Sequence, residues 1–589
     1  MYLSRKTKIL RNFIYSLHGY IYYYYINKPV KKNERKLIFL HFLKSQEIII
    51  IYFFILSLLT NFISLIFFRK KLLSLKNSQK NKIFNIFSKI KPIKFQKTIE
   101  LVHALIILSN NYNEKVKKLS INNFTPNKNN LFFDNIVVGS GPSGSVTALS
   151  LKEKKLESLI LEAGESFSIP MQKHSGFEFL KKWLFGGLSG AIGNIDIQYA
   201  SAKCFGGGSE INSGLYHEID KEFIDKTYGG KTNYDKIKKF EPTEIVEYQN
   251  DHSTELINLK NIYIRGSEKL NWKIEHLKRF KKNKTNVKNS MSNTYLEKYK
   301  NLGGSLLTNA KVQRIFEKDK LLNVEVLYQK KSIVFKCNNV FLCCGAPYSL
   351  DLLKKSDIIN KSHNSNFHFH PMFKIIAKYN SKVNSDKSID IIETQVTEFF
   401  PEFIFGNAAS GKQFLKIATF NNSRAYQDVE KNFKNMTIFH ATFSVGRSNF
   451  KNIPFLKQPI ISYQFSKQEI LLIKKGIKNL VKFIFKSGAE YIYLGDKNVT
   501  RIDKYDEIQL DKIIKEKNIS LSSVHLLGGL NMLDEKVFDK KQLGKIKNSK
   551  FNIYVNDSTL LNQKLLKNPQ GAVMTISKNN ISKFLENYD

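Results

Sequence analysis

Asn135-Ile-Val-Val-Gly139-Ser-Gly141-Pro-Ser-Gly144 and, after one helical stretch, Leu159-Ile-Leu-Glu162-Ala-Gly164 spell a strand, a glycine turn, a helix and a second strand. Ile136 to Val138 are β-branched and apolar, as in a parallel strand buried on both faces. The turn fits G-x-G-x-x-G, and each glycine has a mechanical task. Gly139 permits the tight turn, Gly141 lets backbone approach a pyrophosphate, and Gly144 lets helix pack on strand. Ser145 to Lys152 is the expected helix, whose N-terminal N–H groups and dipole favour a diphosphate. Glu162 closes the second strand 18 residues after Gly144. That is near the ~20-residue spacing at which a carboxylate accepts hydrogen bonds from a ribose. The unit is a dinucleotide site, with FAD and NAD both open at this point.

The chain has 589 residues, too many for one ordinary core, and 42% of them are apolar, which supports a folded protein of two or more domains. The formal charge of +42 would suit an anionic partner. The lysines are nevertheless scattered beside Asn, Ile, Phe and Tyr, without a basic stripe or a nucleic-acid motif. Nucleic-acid binding is not expected. Cys204, Cys337, Cys343 and Cys344 lack C-x-x-C spacing and read as small apolar residues of a reducing compartment, with Cys343 and Cys344 inside a buried strand. His368 and His370 would share a strand face, but no further ligand set stands out and no metal site is expected.

Residues 1–130 differ in character from the remainder of the chain. Leu10 to Ile26 is aromatic-rich and contains Tyr22-Tyr-Tyr-Tyr25. Ile48 to Phe68 runs without a charge, broken only by Ser57, Thr60, Asn61 and Ser64, and about 20 apolar residues suffice to cross a bilayer. Arg69-Lys70-Lys71 come next, which places the C-terminal side in the cytoplasm if 48–68 spans. Lys31, Lys32, Arg35, Lys36 and Lys44 on the other side weaken that contrast. The reading is a membrane-associated protein, or else a cytoplasmic one in which 48–68 is a helix packed on the rest. Gln96 to Ser109 is a further amphipathic helix, and Asn122 to Asn130 a linker.

Further along, Lys203-Cys-Phe-Gly206-Gly207-Gly208-Ser-Glu-Ile-Asn212 offers backbone for close approach to a flat or anionic ligand. This stretch resembles the second signature of the glucose–methanol–choline (GMC) flavin oxidoreductases, G-G-S-S-x-x-N. Gly303-Gly-Ser-Leu-Leu-Thr-Asn-Ala-Lys-Val312-Gln-Arg-Ile315 reads as paired strands around a turn, and Asn339-Val-Phe-Leu-Cys-Cys-Gly345-Ala as a return strand. In the resemblance, Val312 lies by the adenine and Gly345 near the cofactor. Val524-His525-Leu-Leu-Gly528-Gly529, then Asn556-Asp557-Ser558 and Asn568-Pro569-Gln570, keep the order of the family's carboxy-terminal signature.

What the resemblance implies is an FAD-dependent oxidoreductase acting on a hydroxyl group of an alcohol, sugar or sterol-like molecule. His525 would take the hydroxyl proton while hydride passes to flavin N5, since imidazole accepts a proton near neutrality. Asn568 would donate a hydrogen bond to the substrate oxygen. Gly139, Gly141, Gly144, Glu162, Gly207, Gly208, Asn212, Val312, Gly345, Asp557, Ser558, Pro569 and Gln570 would hold FAD, non-covalently because Ser201-Ala-Lys-Cys204 offers no histidine for attachment. Glu210, Asn531 and Gln563 depart from the family pattern. The electron acceptor is open among quinone, protein and oxygen. Alternatives are an inactive flavin-binding scaffold at a membrane and a flavin-dependent isomerase. The expected architecture is α/β, with a Rossmann-like FAD-binding domain built from 131–220, 291–355 and 516–589. An antiparallel-sheet substrate domain is expected from 221–290 and 356–515, after an N-terminal extension at 1–130.

Overall fold

The computed structural model describes residues 2–22, 34–89, 95–109, 117–118, 121–127, 130–168, 176–187, 189–230, 233–250, 252–282, 287–363, 366–385, 391–451, 456, 459–539, 542–547, 552–561 and 565–588. Most of the tyrosine run and Gln563 lie outside the described residues. Five helices come first: α1 (Tyr2–Ile21), α2 (Glu34–Phe42), α3 (Glu47–Phe68), α4 (Asn77–Lys89) and α5 (Phe95–Ser109). Phe13, Leu17, Phe42, Phe53, Phe84 and Leu105 build their shared core. The group is tied to the rest of the protein through His41 Nε2 to the Gly186 carbonyl at 2.8 Å and Gln46 Nε2 to Tyr199 Oη at 2.8 Å.

Helix α3 is arranged inside out. Its buried face carries Ser57, Thr60 and Ser64 together with Phe53 and Leu56. The three hydroxyls satisfy themselves on the carbonyls of Phe54, Leu56 and Lys70. Its outward face is apolar, with Phe62 63%, Ile66 58% and Phe67 66% exposed. The helix is therefore packed on one side and bare on the other. By length and composition it is able to cross a membrane.

The dinucleotide unit forms as read. Strand β1 (Phe132–Val138) leads through α6 (Pro142–Glu153) to β2 (Ser158–Glu162), paired in parallel with Ile136 opposite Leu159. Ile136 and Val138 enter one core and Val137 and Ile160 the other, so both sheet faces are covered. β3 (Ser305–Thr308) extends the parallel sheet beyond β2, while β4 (Ala310–Lys318), β5 (Leu321–Tyr328) and the long β6 (Lys331–Leu342) form an antiparallel arm. The second half of β6 pairs with β1 on one edge and with β7 (Asn552–Val555) on the other. β3 and β4 are not paired with each other, contrary to the reading of 303–315. Only Asn309, in the left-handed region at φ 58°, separates them, too little for a hairpin, and each joins a different end of the sheet. Asn122 and Asn123 are not free linker either; their side-chain carbonyls accept from the N–H groups of Thr308 and Leu306. Cys343 and Cys344 lie just past the end of β6 rather than within it.

The second sheet centres on Met372–Lys378, Met436–Phe443 and Phe403–Ala408, which pair antiparallel. It also takes in Gly190–Gly193, Asp196–Tyr199, Ser520–Ser523 and Leu526–Gly528, segments expected in the flavin-binding parts 131–220 and 516–589. Two of its pairings are parallel, Ser520–Ser523 with Asp196–Tyr199 and Ile460–Gln464 with Gly190–Gly193, so it is not purely antiparallel. Helices α7 (Thr254–Leu270) and α8 (Lys467–Lys486) cover its outer face. Helix α8 opens on a Ser466/Glu469 capping box and buries Ile470, Ile473, Ile477, Leu480 and Ile484 at helical spacing. α9 (Gln570–Leu585) closes the chain and packs on α6.

Candidate active site

At the glycine turn the backbone is packed to its limit. Gly139 has φ 104°, and a Cβ there would lie 2.5 Å from the Cys343 carbonyl oxygen. A Cβ on Gly144 would lie 1.9 Å from the Gly139 oxygen. Gly141 caps α6 without any side-chain hydrogen bond, leaving the first N–H groups of the helix turned to open space. Glu162 is buried, and its carboxylate accepts from Ser140 N and Oγ at 3.0 and 2.7 Å and from Gly164 N at 2.7 Å. Burial pushes its pKa up, and those donors oppose the shift.

The triple-glycine segment lies against this turn. Gly207 has φ 60°, and a Cβ there would meet Gly141 Cα at 2.6 Å. Gly206 N donates to Ser140 Oγ at 3.1 Å. Asn212 donates to Gln570 Oε1 at 2.5 Å, joining this segment to the start of α9. Lys288, buried and held at a pKa of about 8 by that burial, donates to the Asn212 carbonyl at 2.6 Å. Glu210, one of the residues out of keeping with the family pattern, offsets part of the desolvation of that ammonium. Asp557 ties the return turn: one oxygen accepts from Gly345 N at 2.7 Å and from Ser349 Oγ, the other from Thr559 N at 2.8 Å. Ser558 Oγ accepts from Ala346 N at 3.1 Å.

A cavity of about 2500 Å³ joins these parts. It is lined by Gly139, Gly141, Glu162 and Val312 at one end, then by Gly207, Gly208, Asn212, Gly345, Asp557, Ser558, Pro569 and Gln570, and by His525 and Asn568. Of the residues proposed from sequence, only Gly144 stays out of the cavity, packed under Gly139. The wall opposite comes from the second sheet, with Lys374, Gln395, Asn407, His440 and Thr442. Ile49, Ile50 and Phe53 of α3 and Leu101 and Ala104 of α5 line an apolar lobe of the same cavity.

His525 stands between two sheet segments and is engaged through Nδ1 with His370 Nδ1 at 3.0 Å. His370 is 1% exposed, and burial pushes its pKa well down, with the Leu565 carbonyl opposing the shift. With the proton of His370 on Nε2, its Nδ1 accepts from His525 Nδ1–H, and the lone pair of His525 Nε2 is left for a ligand. Burial, with His217 adding to it, holds His525 at a pKa of about 4. His217 accepts from Asn568 N at 3.2 Å on Nδ1 and meets Gln395 Oε1 at 2.9 Å on Nε2. It is likewise pushed down to about 4, mainly by burial. The histidine cluster is neutral at pH 7.

Residues 133–372 match the family described as GMC oxidoreductase. The match covers the dinucleotide unit, the 206–212 segment and the return strand. An uncharacterised GMC-type oxidoreductase of Sinorhizobium fredii is 25% identical over 482 residues, covering 75% of this chain and 93% of the relative. Among solved structures, pyridoxine 4-oxidase from Mesorbium loti superposes with a TM-score of 0.59 at 13% identity, over 77% of this chain and 99% of that one. Formate oxidase of Aspergillus oryzae does so with a TM-score of 0.57 at 12% identity, over 78% and 99%. These likenesses establish the fold. FAD is the cofactor, and the residues fit it: the Gly141–Gly207 approach would be closed by a Cβ, the α6 terminus is uncapped, and the cavity continues from Glu162 and Val312 to Gln570.

Sequence reasoning missed Lys374, His440 and Gln395, which sit on strands without a motif. It raised His370 only as half of a metal pair, although its i, i+2 relation to His368 did mark it as facing one way; among the described residues no metal cluster forms.

Proposed function

We propose that the protein oxidises the hydroxyl group of a small molecule, with His525 as the base. The observation that carries this is His525 itself, neutral, lining the cofactor cavity and orientated by His370 so that Nε2 is free. Bound FAD supplies the acceptor for the hydride that leaves the carbinol carbon. The chain does the rest: His525 Nε2 takes the hydroxyl proton, and the Asn568 amide, which cannot act as a base, donates to the oxygen on which charge develops. Gln395 and Asn556 are positioning residues, Gln395 by holding His217 under Asn568 and Asn556 by joining α6 to α9 through Thr147 Oγ1 and the Ser577 carbonyl. FAD is held without a covalent bond, since Cys204 is buried and its thiol is pushed well up by that burial, away from the reactive thiolate. Replacing His525 with Ala is expected to keep the flavin spectrum and slow substrate-dependent flavin reduction by about 10²–10⁴-fold. Unchanged reduction kinetics would defeat the assignment.

We also infer a membrane seat. The support is the inside-out construction of α3, with hydroxyls buried, isoleucines and phenylalanines bare, and Arg69-Lys70-Lys71 directly after it. The catalytic body is then on the cytoplasmic side, and a quinone or protein becomes the favoured electron acceptor, reached through the apolar lobe beside α3. Co-flotation with anionic vesicles tests the seat; a protein that stays at the bottom of the gradient argues against it.

A further inference from the structure

The cavity wall carries a cation for which hydroxyl oxidation has no use. Lys374 lies between Phe373 and Ile375, whose side chains enter the helix-covered core, so its own side chain goes to the opposite, cavity-lining face. Its register partner is His440, and the partner of His440 on the next strand is Gly406. The missing side chain makes room there, since a Cβ on Gly406 would lie 2.8 Å from His440 Nε2. His440 Nδ1 meets Thr442 Oγ1 at 2.9 Å, and both residues line the cavity.

Three buried lysines of the catalytic body have answers to their charge. Lys182 pairs with Glu178 at 3.2 Å, Lys288 donates to Asn212 under the influence of Glu210, and Lys354 donates to the His363 carbonyl. Among the described residues, Lys374 has no carboxylate partner. Burial alone lowers its pKa, with no acidic neighbour pulling it back. His440 is depressed by burial first, then by Lys374 and by His525. An ammonium held in a cavity wall without a counter-charge is costly unless a ligand supplies one.

We propose that the substrate is a hydroxy acid, whose carboxylate pairs with Lys374 while its hydroxyl meets His525 and Asn568. Lys374 offers one positive charge to one carboxylate, and His440 and Thr442 beside it on the same cavity face are polar neighbours for that group. The proposal rests on the hydroxyl-oxidation reading for its second half only; the anion site stands by itself.

The test uses the FAD-loaded protein at constant chloride concentration, titrated with acetate and benzoate and with the neutral acetamide and benzamide, with flavin absorbance as the readout. Saturable shifts with the carboxylates alone are expected, weakened about tenfold or more in Lys374→Met. Lys374→Arg should bind within a few-fold of the native protein, and His525→Asn should bind as the native protein does. Flavin content and thermal midpoint check that each variant is folded. In turnover, Lys374→Met should raise KM for hydroxy acids while leaving kcat and the neutral alcohols little changed. Equal binding of amides, or carboxylate affinity unchanged in Lys374→Met, overturns the proposal. Lys374-dependent binding without oxidation of any hydroxy acid instead removes the oxidation reading and keeps the anion site.

Discussion

The flavin-binding sheet meets the cavity through backbone, at Gly139 and Gly207, where added side-chain atoms would strike main chain. The second sheet meets it through side chains, Lys374 and His440 on adjacent strands, with His525 just beyond a third. Where backbone must approach backbone, only glycine fits, and the chain advertises the site in consecutive residues. Where side chains from distant strands converge, nearly any residue type is sterically allowed, and chemistry alone selects it. The first kind of site is tied to folding and the second to substrate. That contrast is open to attack by substitution.

The largest effect is expected for Gly144→Ala, because both colliding groups are backbone and neither can rotate away. A loss above about 4 kcal/mol, with little flavin retained, should appear in denaturant titration. Gly208→Ala has nothing within 4 Å of the added carbon, so it should fold normally and lose only flavin affinity. Equal behaviour of the two would dissolve the distinction between a packing glycine and a cofactor glycine.

Next comes pH. Burial lowers His41, His103, His217 and His525 to about 4, from an unfolded value near 6.5. Between those values the unfolded chain binds more protons, so stability is complete above about pH 6.5 and is lost as pH falls through 4. A thermal midpoint that stays level from pH 7 to 4 would show that these histidines take up protons in the folded state at their unfolded value. The acid limb of kcat/KM should likewise lie near 4, rather than at the ordinary histidine value, and disappear in His525→Asn.

His370→Asn removes the group that orientates His525 and should slow flavin reduction by roughly tenfold, with flavin content unchanged. A full His525→Ala-like loss would make His370 a participant rather than an orientator. The smallest effect belongs to α3. Phe62→Gln faces outward and should change stability by less than about 0.5 kcal/mol while weakening vesicle binding.

Much of the flavin half was legible because its constraints are local. Strand, turn, helix and Glu162 are contiguous, and the 206–212 and 556–570 motifs each occupy one short run. The pairing expected between β3 and β4 does not form because Ser305–Thr308 and Ala310–Lys318 are neighbours in sequence but go to opposite ends of the sheet. The strands at 190–199 and 520–528 escape a sequence-based domain division for the same reason: short edge segments take their partners from the fold, not from their own pattern. Glu210 is an arbitrary departure in sequence and gains a physical role only through its charge acting on Lys288, which is far along the chain and buried.

The sequence by itself determined the dinucleotide unit, the family resemblance and the identity of His525 and Asn568 as candidates. Backbone-limited turns and local motifs leave few residue choices, so those elements are written contiguously. Only the tertiary structure decided that His370 holds His525, that Lys374 stands unanswered in the opposite wall, and that α3 turns its hydroxyls inward while lining the same cavity. Each of these depends on which faces meet across long separations. A periodicity shows that a residue has a face, but packing alone determines what that face sees.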